Sequence, residues 1–227
     1  IPENENYDFA KDLFPLLMEK EIALMGHNLS GYWRDVGNPE SYREVYEDIL
    51  SDKINFKIDG FKKEYPDGIL YSSVEYNLDP SIEIVGTVVL DKNVTLKKGV
   101  KLNNVVIGKD VTIGANSKIR NSVLWEDITV GTNVKFDNCV VCNNNIIHKN
   151  VTAKAGLILA EGCEVGELAS FEGDVIIWPD KKIEPAAIVS HNLILGNKYK
   201  NSIFENGSVF GKSNVELSCE MATKLAE

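Results

Sequence analysis

A period of 17 residues runs through the middle of the chain and constrains its fold more than any other feature. Between Val85 and Ile158, one apolar column reads Leu90, Ile107, Leu124, Val141, Ile158. A second reads Leu96, Ile113, Val130, Ile147, and a third Val85, Leu102, Ile119, Phe136, Ala153. Two residues ahead stand Val94, Val111, Ile128, and then Val100, Ser117, Val134, Val151. Gly99, Asn116, Asn133 and Asn150 recur where a tight corner needs a left-handed residue. Seventeen divides as six, six and five, which is three short strands and three corners per turn. One coil cannot bury its inward side chains, but stacked coils line them up as a continuous apolar column. Amphipathic helices do not fit a period of 17 carried by β-branched residues and turn formers. The expected fold is mainly β: a parallel β-helix, a hexapeptide-repeat solenoid of about six coils over residues 82–200, flanked by short α segments. The columns slip at Asn145, which falls where Val111 and Ile128 stood. They slip again after Cys163–Gly166, and a looser continuation runs to Leu193.

The flanks read differently. Phe9, Leu13 and Leu17 have helical spacing interrupted by Pro15. Asn38-Pro39-Glu40 signals a helix start, with Asn as cap, Pro in the first turn and an acid near the positive dipole end. Tyr42, Val45, Tyr46 and Ile49 follow as its apolar stripe. Residues 53–81 read as a linker with lead-in strands. Ser218 would cap a last helix carrying Met221 and Leu225, for which the chain offers no packing partner. Both ends read as cut, so a piece of a longer chain is expected.

The formal charge of -10 and pI of about 4.9 argue against binding to nucleic acid or anionic membrane, since an acidic surface repels both. No apolar run approaches the roughly 20 residues that span a bilayer. The N-terminus lacks the basic-then-apolar plan of a secretory signal. Four cysteines in 227 residues make no disulfide framework and suit a reducing cytoplasm, the expected location.

Few residues carry chemistry. His27 lies in a loop-like stretch and His191 in a turn. His148 stands where preceding coils put Gly114 and Gly131, either as an exposed turn residue or as the general base of a solenoid acyltransferase. Cys139 and Cys142 have the spacing of a zinc or redox pair, yet both occupy ordinary coil positions, and neither Cys163 nor His148 plainly completes a site. Gly86, Gly114 and Gly131 are read as corner residues rather than a phosphate loop. Trp125, after Ser122 (taken as outward-facing), is either a lone surface aromatic or a contact between copies. Within Gly31–Tyr42, Asp35 between an apolar strand end and a Gly turn either holds a hard cation such as magnesium or braces that turn.

Tyr7–Pro15 followed by Gly31-Tyr-Trp-Arg-Asp-Val-Gly-Asn-Pro-Glu-Ser-Tyr42 resembles the end of the catalytic domain of sugar-1-phosphate nucleotidyltransferases, most of all mannose-1-phosphate guanylyltransferases. That family carries a left-handed β-helix, so the handedness is implied by the resemblance, since a period alone cannot give it. Ile177–Ile183, Asn192–Gly196 and Phe204–Gly211 resemble the junction of long forms fused to a phosphomannomutase-like domain. The resemblance implies four parts: 1–52, the end of the catalytic domain; 53–81, the linker; 82–200, the β-helix; and 201–227, the start of the mutase-like domain. It also implies that Asp35 is one of two carboxylates holding the catalytic magnesium. The parent would then transfer GMP from GTP to mannose-1-phosphate with release of pyrophosphate. The other metal-binding Asp, the nucleotide loop and the sugar-binding residues would precede Ile1. The fragment is accordingly expected to have no catalytic residue of its own, to be inactive alone, and to serve as an assembly and regulatory solenoid that joins copies into a homo-oligomer. Two alternatives stand beside this: a CoA-dependent hexapeptide acyltransferase using His148, and a non-catalytic solenoid subunit that binds partners.

Overall fold

The computed structural model describes residue 2, residues 6–154 and 156–194, and the backbone of 198–199. The expectations for 201–227 lie outside the described residues. The chain divides into two compact units, Ile1–Trp33 and Arg34–Glu227.

In the first unit, Phe9–Leu13 forms a π-helical turn that runs into helix α1, Phe14–Glu19. Asp8 caps the start, its carboxylate accepting from the amides of Ala10 at 2.9 Å and Lys11 at 2.7 Å. Pro15 therefore does not break the helix. It sits in the first turn of α1, where a missing N–H costs least.

The second unit holds helix α2, Pro39–Leu50, and the solenoid. Asn38 and Ser41 close a reciprocal capping box at the start of α2, as the Asn-Pro-Glu signal requires. The lead-in strands form a hairpin, β1 (Phe61–Tyr65) and β2 (Asp67–Ser72), and β2 stacks in parallel on Val85–Leu90. From Glu83 onward each coil contributes a strand to each of three faces. Glu83–Val85 opens the first face, Val88–Leu90 the second and Thr95–Leu96 the third. All later pairings within a face are parallel.

Each face stacks seven coils among the described residues, one more than the repeat suggested. The apolar columns form the core: Leu102, Ile119 and Phe136 in one, Ile113, Val130 and Ile147 in another, all buried. Two residues, Val85 and Ile158, depart from their expected columns for one reason, an additional residue at the corner between the first and second faces. In the first coil Ile84 rather than Val85 pairs with Leu102, because Gly86 and Thr87 stand where the next coil has Asn104 alone. In the fifth coil Leu159 rather than Ile158 pairs with Val141, after a corner at Gly156. The repeat thus lengthens from 17 to 18 before Cys163.

Corner residues have positive φ in three ladders. Gly99, Asn116, Asn133 and Asn150 make the expected one; Asp110, Asp127 and Asn144 belong to the second, and Asn104, Asn121 and Asn138 to the third. Gly86 is a corner at φ 62°, but Gly114 and Gly131 are not: they lie on the third face, outside the positive-φ set. Asn145, the polar break in the pattern, is fully buried and fully bonded. Its amide donates to the carbonyls of Cys142 (2.8 Å), Asn143 (3.2 Å) and Ala160 (3.0 Å) and accepts from the Cys163 N–H (2.8 Å).

Candidate functional site

The outward side of the second face is apolar, because Val106, Val123, Val140 and Ile158 alternate with the core residues of the same strands. Helix α2 lies on it. Val123 and Val140 are 5% and 4% exposed, and Leu50 on the helix 7%. Burying that stripe uses Tyr46, as expected from the helical pattern, and Leu50, which lies outside the expected stripe of Tyr42, Val45, Tyr46 and Ile49. Asp48 is buried with them, which the pattern did not announce.

Arg34 explains Asp48. Its guanidinium pairs with Glu44 and, at 3.4 Å, with Asp48, which also takes the Lys53 ammonium at 3.0 Å. A buried carboxylate is tolerable when it is shared by two cations. The segment carrying Arg34 and Asp35 is in this way tied to α2, and α2 to the solenoid. At the far end Trp125 Nε1 donates to Tyr42 Oη at 3.0 Å, with the rings edge-on at 6.4 Å. Burial, reinforced by Tyr46, pushes the Tyr42 hydroxyl well above the ordinary phenol range. Arg43 reaches the Gly156 carbonyl at 3.4 Å.

Trp125 therefore packs against a helix of its own chain. Trp125→Ala is expected to cost about 1–3 kcal/mol in a denaturation experiment, from the lost aromatic pair and hydrogen bond. Its sedimentation velocity is expected to stay unchanged. A smaller species would instead place Trp125 in a contact between copies. Ser122, expected to face outward, is 1% exposed: its hydroxyl donates to the Arg120 carbonyl at 2.6 Å and accepts from the Cys139 N–H at 3.0 Å.

Asp35 is exposed, with Gly37 beside it. Among the described residues no group of three or more His, Cys, Asp or Glu side chains could hold a metal ion. Asp35 would give a magnesium ion one carboxylate, so the residues present do not by themselves make its site. Cys139 lies in the core, where burial pushes its thiol up to about 12, whereas Cys142 sits on the outer side of the same strand near Tyr42. Pointing to opposite sides, the two thiols do not converge on a common ion. Cys163 is buried, its thiol donating to the Trp178 carbonyl at 3.2 Å. His27 is exposed, and His191 Nδ1 lies 2.9 Å from Ser190 Oγ.

His148 stands on the third face with Nε2 3.1 Å from Glu164, which also accepts from Lys182 at 2.9 Å. Lys182 first, and His148 second, hold the Glu164 carboxyl below its ordinary value. A lowered carboxylate pKa contributes stability above the unfolded value, near pH 4.5, and that stability is lost as the pH falls through the folded value. Glu164→Gln is expected to flatten the acid limb of the stability curve below about pH 4.5 and leave the slope between about pH 7 and 9 unchanged. The effect is small, because the group is well exposed. Denaturation midpoints across that range check it.

A stack of seven parallel coils with an apolar outer face covered by a capped helix defines a hexapeptide-type β-solenoid. Comparison with known proteins matches two separate parts of the chain. Residues 67–171 match the family described as EIF2B subunit epsilon LbH domain, and residues 1–52 match the family described as Nucleotidyl transferase. The chain is 39% identical over 49 residues to the glucose-1-phosphate adenylyltransferase of Halalkalibacterium halodurans, covering 22% of this chain and 13% of that protein. It is 40% identical over 57 residues to the enzyme of the same name from Bacillus thuringiensis strain Al Hakam, covering 25% of this chain and 15% of that protein. The matched part is thus about one seventh of each relative's length. These names carry glucose and adenylyl, not the mannose and guanylyl of the expectation. A solved UDP-N-acetylglucosamine acyltransferase of Francisella novicida is similar at 17% identity and a TM-score of 0.24, over 50% of this chain and 54% of that one. A likeness at that score carries no argument about function. No helix among the described residues is long and apolar enough to cross a membrane.

Proposed function

We propose that the chain is the C-terminal part of a sugar-1-phosphate nucleotidyltransferase, which joins a nucleoside monophosphate from a nucleoside triphosphate to a hexose-1-phosphate and releases pyrophosphate. The observation that carries this reading is the seating of α2. The segment matched to the transferase family ends in a helix whose residues tie Arg34, next to Asp35, to the solenoid. The solenoid's role is to hold that end of the catalytic domain in place and to bring copies together. In the parent, Asp35 supplies one carboxylate to a magnesium ion that offsets phosphate charge. GTP with mannose-1-phosphate is the pair favoured by the Trp-Arg-Asp-Val-Gly segment, and ATP with glucose-1-phosphate the pair suggested by the relatives' names.

The test follows pyrophosphate release with each pair and magnesium, for the full-length gene product and the 227-residue chain side by side. The full-length protein is expected to turn over one pair and the 227-residue chain neither. Turnover by the shorter chain would overturn its assignment as non-catalytic, and none by the full-length protein would favour a solenoid subunit that only binds partners. The acyltransferase alternative rests on His148, which already pairs with Glu164, itself held by Lys182.

A further inference from the structure

The three faces of the solenoid are not equivalent. The second is covered by α2, and the third presents Thr95, Thr112 and Thr129 in register at its outer side. The first presents Lys101, Lys118 and Lys135, hydrogen-bonded strand to strand in direct register. Arg120 and Lys154 stand in the neighbouring outward column and line the same shallow groove. Lys101 is paired with Glu83 and Arg120 with Asp137, whereas Lys118, Lys135 and Lys154 have no ion-pair partner among the described residues. The ionised side chains lining the groove sum to +3 on a chain of net -10.

Stacking like charges one strand apart is unfavourable in itself, because neighbouring strands are only about 4.8 Å apart. A chain rich in carboxylates has ample means to neutralise such a ladder and does not do so here. We propose that the first face is a docking surface for an acidic helix of a protein partner. The face is shallow and open along three coils, which suits a macromolecular surface better than a small anion, whose sites are concave and enclose it. Spacing selects the helix. Two steps of the lysine ladder span about 9.6 Å; two helical turns rise about 10.8 Å, within the reach of lysine side chains, whereas carboxylates at alternate positions of a strand spread over about 13.6 Å. Acidic side chains at successive turns of one helix face then meet Lys101, Lys118 and Lys135 in order, with Lys154 and Arg120 at the flank.

The experiment uses the 227-residue chain and a fluorescently labelled helical peptide with glutamates at every third and fourth position, with fluorescence anisotropy as readout. Its comparison probes are a scrambled peptide of the same composition, inorganic pyrophosphate and a duplex RNA. The double variant Lys118→Glu, Lys135→Glu is expected to weaken peptide binding at least tenfold and to flatten its salt dependence. The variant Lys92→Glu, Lys97→Glu, which changes the net charge equally on other surfaces, is expected to bind like the parent chain. Equal loss in both variants, equal affinity for the scrambled peptide, preferential binding of pyrophosphate or RNA, or no binding at all would each overturn the proposal. Both variants alter exposed side chains, and an unchanged circular dichroism spectrum separates loss of binding from loss of fold.

Discussion

Asn145→Ala is expected to lower the stability of the solenoid by about 2–4 kcal/mol, read as a lower guanidinium midpoint at unchanged slope. The side chain is fully buried and makes four hydrogen bonds, of which two, to the Ala160 carbonyl and from the Cys163 N–H, tie its own coil to the next. Truncation leaves a buried donor without its acceptor and opens a void in a stacked column. Asn145→Val separates the two effects. Valine has the shape that Val111 and isoleucine at 128 supply in the coils below, so it restores packing and leaves the polar groups unmatched. It is expected to fall between the alanine variant and the parent chain. A valine variant as stable as the parent would show that the amide contributes nothing net.

Gly114→Ala is expected to cost about 2–3 kcal/mol, which lowers the melting temperature by roughly 4–12 °C in a domain of this size. The reason is steric rather than torsional. A Cβ at this position would stand 2.4 Å from the carbonyl carbon and oxygen of Gly131 in the next coil. Those atoms cannot retreat, because Gly114 and Gly131 are hydrogen-bonded in turn to the Val130 and Ile147 carbonyls at 2.7 and 2.8 Å. Gly37→Ala is the control: its nearest contact is Asp35 at 3.8 Å, and a change within about 0.5 kcal/mol is expected. Equal melting temperatures for the two variants would remove the close-approach argument.

These two sites show where reading along the chain works and where it stops. The period announces the stacked strands because every coil repeats the same burial problem, and the columns through Leu102, Ile119 and Phe136 need no further information. Asn145 is visible as an exception at a core position, but its role depends on carbonyls from the next coil. Gly114 and Gly131 look like turn residues until the neighbouring backbone is in place. Ile84 and Leu159 were hidden by one added residue in a corner, since an insertion leaves the composition of a coil intact and shifts only its pairing. The lysine ladder is written at the same spacing as the core, yet spacing does not say which side of a strand faces out.

What the amino-acid order alone determined is the repeating unit: short strands, left-handed corners and the capped start of α2, all set by contacts within a coil or a helical turn. Which apolar outer face α2 covers, and which basic face stays bare, was decided only in the tertiary structure. So were the shared anchoring of Arg34 and Lys53 on Asp48 and the meeting of Tyr42 with Trp125, 83 positions away. Such pairings arise from the free energy of burying one surface against another, and no local pattern encodes which surfaces meet.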